Sequence, residues 1–259
     1  MCTGAPDEPV ADASMGRVRS DSARCAAWVV TAAGILLAAL AACGSPGGGA
    51  PQPDGRAGRP GAAGGDPRRV PGIGPGLWRR VPAGSGQVVA VYGDGADSAG
   101  STVVLYTRRG EAWRRVREWR AHNGRKGWTT HHRSGDRRSP VGVYTLTDAG
   151  GALGDPGTEL PYTRDRSFAA PRWWARPYWH DFDYVIAIDY NRVRGAPPND
   201  PRRPEGDGRG GSIWLHMDHG SGTSGCVSMP RQAMEFLLRT LDPDQHPVVV
   251  MGDRAHLAA

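Results

Sequence analysis

A mainly β domain of sandwich type, closed by one late helix, is what the sequence predicts. Two observations carry the β part. Short runs rich in β-branched and aromatic residues recur along the chain, and Gly, Asp and Ser turns separate them. These strands come at irregular spacing, joined by long polar loops, with no internal repeat. A third observation adds the helix: a single stretch near the C-terminal end has helical rather than strand periodicity.

The elements follow in order. Residues 87–92 (QVVAVY), 101–106 (STVVLY) and 113–119 read as strands between turns. Residues 141–147 (VGVYTLT) follow Ser139-Pro140 and read as another. Residues 184–190 (YVIAIDY) and 212–216 (SIWLH) are apolar nearly throughout, as buried strands are, and 248–251 (VVVM) closes the domain. A helix is expected over about 230–241, with Ala233, Met234, Leu237, Leu238 and Leu241 on one face. Pro230 suits its first turn and Pro243 stops it. Residues 200–211 (DPRRPEGDGRGG) form a polar, glycine-rich loop leading into the 212–216 strand.

The N-terminal segment has the layout of an export signal. Arg17, Arg19 and Arg24 precede an apolar run over residues 26–42, too short and too rich in Ala and Gly for a membrane span of about 20 residues. The run ends Leu40-Ala41-Ala42-Cys43, the pattern of a lipobox, whose cysteine is lipidated and becomes the mature N-terminus. Residues 1–14 are acidic and unlike a signal's basic start, so Met15 is a plausible true start. The expected organisation is a signal peptide over 1–42, a lipidated Cys43 heading a Gly/Pro/Ala-rich disordered tether over 43–76, a folded domain over 77–253 and a tail over 254–259. The expected location is the outer face of the cell membrane, facing the wall.

Charge narrows the partners. The first 43 residues hold three arginines and four acids, which leaves 29 bases against 22 acids in the remainder, and Lys126 is the only lysine. On an exported chain, a diffuse positive surface favours anionic envelope polymers over nucleic acid. No basic helix or base-stacking motif argues otherwise. A monomer is expected.

Cysteine usage points to the site. Cys2 and Cys25 fall in the segment expected to be removed and Cys43 takes the lipid, so Cys226 is left as the one cysteine of the folded domain, with no disulfide expected. A lone thiol outside the cytoplasm is exposed to oxidation and calls for a reason. Cys226 lies a few residues before a helix start, whose partial positive charge favours thiolate. Gly225 permits unusual backbone angles, and N–H groups around Ser224, Gly225 and Cys226 are candidate oxyanion donors. His216 ends the preceding strand ten residues upstream. A return through the 218–223 loop brings its imidazole beside the sulfur, as a base that can activate it. These are the parts of acyl transfer through a thioester.

Across these residues the chain resembles the L,D-transpeptidases, the YkuD-type cysteine enzymes of bacterial peptidoglycan. The family signature is a histidine, a variable loop, then Ser or Thr, a variable residue that is often His, then Gly-Cys. His216 matches the first histidine, Thr223 the hydroxyl position and Gly225-Cys226 the end. Ser139-Pro140-Val141-Gly142-Val143-Tyr144 resembles the family's upstream TPxGxF/Y strand, and SIWLH its xIxxH strand. Ser224 stands where many members have His, Val227-Ser228 replaces the common pair after the cysteine, and the His-to-Cys loop is short. The resemblance implies a β-sandwich-like fold and a cysteine acyltransferase. Cys226 would cleave the bond between an L-centred diamino acid and D-Ala in a stem tetrapeptide, with His216 as base. An acceptor amine would then resolve the thioester into a crosslink. Thr223, His219 and Ser228 are possible substrate contacts.

Other readings use the same residues. Resolution by water makes the domain an L,D-carboxypeptidase. A sortase-like enzyme would want an arginine beside the cysteine, and Arg209 and Arg231 are not in a recognisable strand position. A catalytically silent wall-binding lipoprotein needs no His216/Cys226 pair. Cys226 as a small buried hydrophobe is the plainest alternative. A zinc site from His216, Asp218, His219 and Cys226 would draw three ligands from one short loop with no second cysteine, so no metal or organic cofactor is expected. His219, on a glycine-rich turn, reads as a rim residue, and His180-Asp181 and His131-His132 read as surface clusters. Trp173, Trp174 and Trp179 read as ordinary packing first and as a lid over a donor peptide second.

Overall fold

A computed structural model describes residues 66–259. The expected signal peptide, the lipobox with Cys43 and most of the expected tether lie outside the described residues. The chain runs through helix α1 (Pro75–Trp78) and strands β1 (Gln87–Gly93), β2 (Gly100–Arg109), β3 (Ala112–His122), β4 (Trp128–Thr129), β5 (Ser139–Pro140), β6 (Gly142–Thr145), β7 (Ala149–Gly151), β8 (Tyr162–Arg164), β9 (Val185–Ala187), β10 (Trp214–Met217) and β11 (Val227–Met229). Helix α2 (Arg231–Thr240), strand β12 (Val248–Asp253) and helix α3 (Arg254–Ala258) complete it.

The expected mainly β architecture is present. Ten strands form one mixed sheet in the order β6-β12-β1-β2-β3-β11-β10-β9-β7-β8, and β4 pairs with β5 separately. The sheet has two halves. They join where β3 meets β11, at the single pair Ser228–His122. Both halves feed one core: Val89, Val91, Val103, Leu105 and Met251 from the first, Ile186, Leu215, Met217, Val227 and Met229 from the second. This period-2 alternation places the neighbouring residues on the opposite faces. There Val88, Ala90, Val104, Val248 and Val250 build a second core.

Helix α2 has the expected face: Ala233, Met234, Leu237, Leu238 and the adjoining Leu241 are all buried in the shared core. Pro230 is its N-cap, one place earlier than the expected first turn. Two boundaries differ from the sequence reading. Val70 and Ile73, within the expected tether, are buried in the second core. Leu257, within the expected tail, is fully buried beside them on α3, which Asp253 caps through the amides of Ala255 and His256. Val70 and Ile73 dock this Gly/Pro/Arg-rich segment together with hydrogen bonds from the Tyr92 hydroxyl to the Pro71 carbonyl and from the Trp113 N–H to the Pro67 carbonyl.

Candidate active site

Strands β10 and β11 run parallel, with Leu215 opposite Val227 and His216 opposite Ser228. One step back, Cys226 lies beside Trp214, whose N–H donates to Sγ at 3.3 Å. Side chains at 214, 216, 226 and 228 therefore share one face, opposite the shared core. Diagonal neighbours on parallel strands sit about 8 Å apart at Cα, so His216 and Cys226 occupy adjoining places on that face. Ring contact supports the placement: Phe182 packs 5.2 Å from His216 and belongs to the cluster that covers Cys226.

The loop before the cysteine is braced by two hydroxyls. Thr223 Oγ1 donates to the Cys226 carbonyl at 2.7 Å and accepts the Gly225 N–H at 3.1 Å. Ser139 Oγ donates to the Gly225 carbonyl at 2.7 Å and accepts the Gly124 N–H at 2.8 Å. Gly225 has φ of 147°, and a Cβ there would lie 3.1 Å from the Arg138 carbonyl. Only glycine takes this position without strain.

Several sequence-based roles change. Gly225 N–H is committed to Thr223 and cannot serve an oxyanion. Thr223 is a brace rather than a substrate contact. Ser228 is fully buried and donates to Asp218 at 2.7 Å, so it does not face a substrate either. Ser224 is half-buried at the loop's rim. Strand β11 separates Cys226 from α2 by roughly 10 Å of extended chain at about 3.3 Å per residue. A helix dipole fades within its first turn, so α2 does not activate the sulfur. The Trp214 N–H is the donor aimed at Sγ, and such a donor favours the charged form of a thiol. The sulfur also lies 3.4 Å from the Ser212 carbonyl. Nucleophilic chemistry belongs to the thiol form of this sulfur.

His216 is 2 % exposed. Its Nδ1 lies 2.7 Å from the Met217 carbonyl, an acceptor only, so Nδ1 carries the proton and Nε2 the lone pair. Burial pushes its pKa below 6.5, against the pull of the Asp181 carboxylate. The neutral ring is then the dominant form at pH 7, as a base requires.

Three residues read as rim or surface are interior. His219 Nδ1 lies 2.9 Å from Asp181 Oδ2, with both side chains 4 % exposed. Its ring is near-parallel to His216 at 6.4 Å and 15°, and 4.4 Å from Tyr178. His132 is buried against Gly225, its Cε1 within 3.4 Å of a Cβ placed there. Burial lowers its pKa, opposed by Asp136, whose Oδ1 is 3.0 Å from Nδ1 but off the hydrogen-bond axis. His131 and His180 are exposed as expected. The sequence carries no local signal for the Asp181–His219 pair, because 38 positions separate its members.

The aromatic segment covers this face. Phe168, Trp174 and Phe182 pack with Trp214 and Cys226, and Trp179 Nε1 donates to the Trp174 carbonyl at 2.7 Å. Trp174 thus meets the packing expectation, while Trp173 is 73 % exposed. A polar cavity of about 610 Å³, lined among others by Arg80, Tyr144, Tyr190 and Arg209, involves none of Cys226, His216 and His219. Among the described residues no group of three or more His, Cys, Asp or Glu could hold a metal ion.

Comparison with known proteins agrees with the resemblance. The family model of the YkuD L,D-transpeptidase catalytic domain matches residues 96–250. No curated protein matches. Among solved structures, the chain is similar to Bd1075 of Bdellovibrio bacteriovorus, at 17 % identity and TM-score 0.36, over 65 % of this chain and 48 % of that one. It is also similar to the helical cell shape determining protein Pgp2 of Campylobacter jejuni, at 17 % identity and TM-score 0.38, over 64 % of this chain and 47 % of that one. The chain spans about half the length of these solved chains. The matched region runs from the loop before β2 into β12 and contains the His216–Cys226 face. The chain belongs to the YkuD family of L,D-transpeptidase catalytic domains.

Proposed function

We propose that the domain is a peptidoglycan L,D-transpeptidase with Cys226 as nucleophile and His216 as its base. One observation carries the reading: His216 and Cys226 share a face of adjacent parallel strands, and Nδ1 of His216 is tied to a backbone carbonyl, which leaves Nε2 as the proton acceptor. Reduced Cys226 gives its proton to His216 and attacks the carbonyl carbon between the diamino acid and D-Ala. The C–N bond breaks, the departing D-Ala amine takes the proton back from His216, and a thioester remains. An amine of a second stem peptide then displaces the sulfur. The amide C–N bond re-forms there, which is a crosslink.

The basic N-terminal residues, the apolar run and Cys43 support a lipid-anchored protein on the outer face of the cell membrane. Cys43→Ala should abolish incorporation of a fatty-acid probe and release the protein from membranes. Label retained in the variant would exclude lipidation at Cys43. For the reaction, the purified reduced domain is incubated with defined tetrapeptide muropeptides. Dimers with loss of D-Ala support the proposal. Monomers shortened by D-Ala without dimers indicate a carboxypeptidase, and unchanged muropeptides contradict both.

A further inference from the structure

The Asp181–His219 pair is unused by the chemistry above, yet it is built as acid–base machinery. Asp181 comes from the end of the aromatic segment and His219 from the loop after β10. The Met217 N–H donates to the Asp181 carbonyl at 2.9 Å, which pins the carboxylate's backbone to that strand end. Both side chains are 4 % exposed and meet at 2.9 Å. Asp181 accepts at Oδ2, so Nδ1 of His219 carries the proton and Nε2 the lone pair. Among the described residues, Nε2 has no hydrogen-bond partner and neither has Asp181 Oδ1. A buried polar atom left in this state is costly, and a catalytic role is one of the reasons a native fold retains one.

His216 shows the same arrangement one ring away, with Nδ1 tied and the rings 15° from parallel. Two imidazoles thus present the same tautomer side by side, with different backing. A neutral carbonyl holds His216. A buried carboxylate holds His219 and can balance the charge that appears when Nε2 takes a proton. Tyr178 of the aromatic segment covers the His219 ring at 4.4 Å.

We infer that His219 is the base for the acceptor amine, held in place by Asp181, while His216 serves Cys226. The inference rests on the acyl-transfer reading. As the free amine of the acceptor attacks the thioester carbon, the new C–N bond forms and its nitrogen must lose one proton. His219 Nε2 takes that proton. The C–S bond breaks, and the sulfur of Cys226 leaves as thiolate. Acylation needs no such step, so the two histidines divide the half-reactions. Asp181 is a positioning residue, because it acts through His219.

Rapid-quench mass spectrometry of the reduced full domain separates the half-reactions. The donor is a stem tetrapeptide, and the acceptor is either an alkylamine stem or hydroxylamine. Hydroxylamine is a weakly basic nucleophile whose proton passes readily to water once it has attacked. In His219→Ala, resolution by the alkylamine should fall by about two to four orders of magnitude, the usual contribution of a positioned base. Acyl-enzyme formation should fall by less than about tenfold, and resolution by hydroxylamine should largely survive. His219→Gln, which keeps the volume, should behave alike, and Asp181→Asn should show a smaller defect of the same pattern. Formation of the acyl-enzyme itself shows that each variant is folded. Equal loss with both acceptors, or equal loss in both half-reactions, overturns this inference alone. Failure of the unaltered protein to form an acyl-enzyme overturns the acyl-transfer reading beneath it.

Discussion

Gly225 shows how much chemistry one backbone position carries. Its φ of 147° turns the chain so that Cys226 leads into β11, and its missing side chain admits the Arg138 carbonyl and the His132 ring. Gly225→Ala should lower stability by about 1–3 kcal/mol, the cost of a non-glycine residue in a sparsely populated region. Urea unfolding at constant slope measures it, and an unchanged midpoint would mean that the loop relaxes around the methyl group. At this scale the sequence was legible where neighbours in the chain are neighbours in space: Cys226, Gly225, Thr223 and His216 lie within ten positions of the cysteine. It was not legible for Ser139, Asp181 or His132. Ser139 holds the loop from 86 positions away, and its Ser-Pro strand start reads as geometry alone. Asp181 beside His180 looks like any solvated pair until His219 meets it.

Helix α2 was readable because four of its residues recur on one face with period 3.6, and the structure buries all four. Leu237 is fully buried in the shared core. Leu237→Asp should destabilise the domain by more than about 4 kcal/mol, since it adds an uncompensated charge to a lost apolar contact. Thermal melting detects this, and an unchanged midpoint would place Leu237 outside the core. Strand β11 was not foreseen. Its three residues follow Cys226 directly and precede Pro230, a run too short to show any period. That omission matters for the proposed mechanism, because β11 holds the helix terminus away from the sulfur, and the Trp214 N–H is the donor that reaches it.

Across the whole molecule, burial of histidines links stability to pH. His216 and His132 are both desolvated, and each has its pKa pushed below 6.5. Between the folded value and 6.5 the unfolded chain binds more protons, so stability rises with pH there. This contribution is complete above about 6.5 and is lost as pH falls below it. The midpoint of thermal unfolding should therefore drop between about pH 7 and pH 5. His132→Gln should flatten that slope, and an equally steep slope in the variant would remove His132 from the account. The carboxylates act lower. Burial would raise Asp218, but bonds from Ser228 and His122 outweigh it and hold its pKa below 3.8, so its share is lost only in stronger acid.

The division of labour between Cys226 and His216 remains the central claim, and intact-protein mass spectrometry of the reduced domain after exposure to a carbapenem tests it most directly. The unaltered protein should gain one adduct mass. Cys226→Ala should gain none while keeping its melting behaviour. His216→Ala should acylate about two to four orders of magnitude more slowly, the share of a positioned general base. Adduct mass on Cys226→Ala, or acylation of His216→Ala at the unaltered rate, would contradict the account.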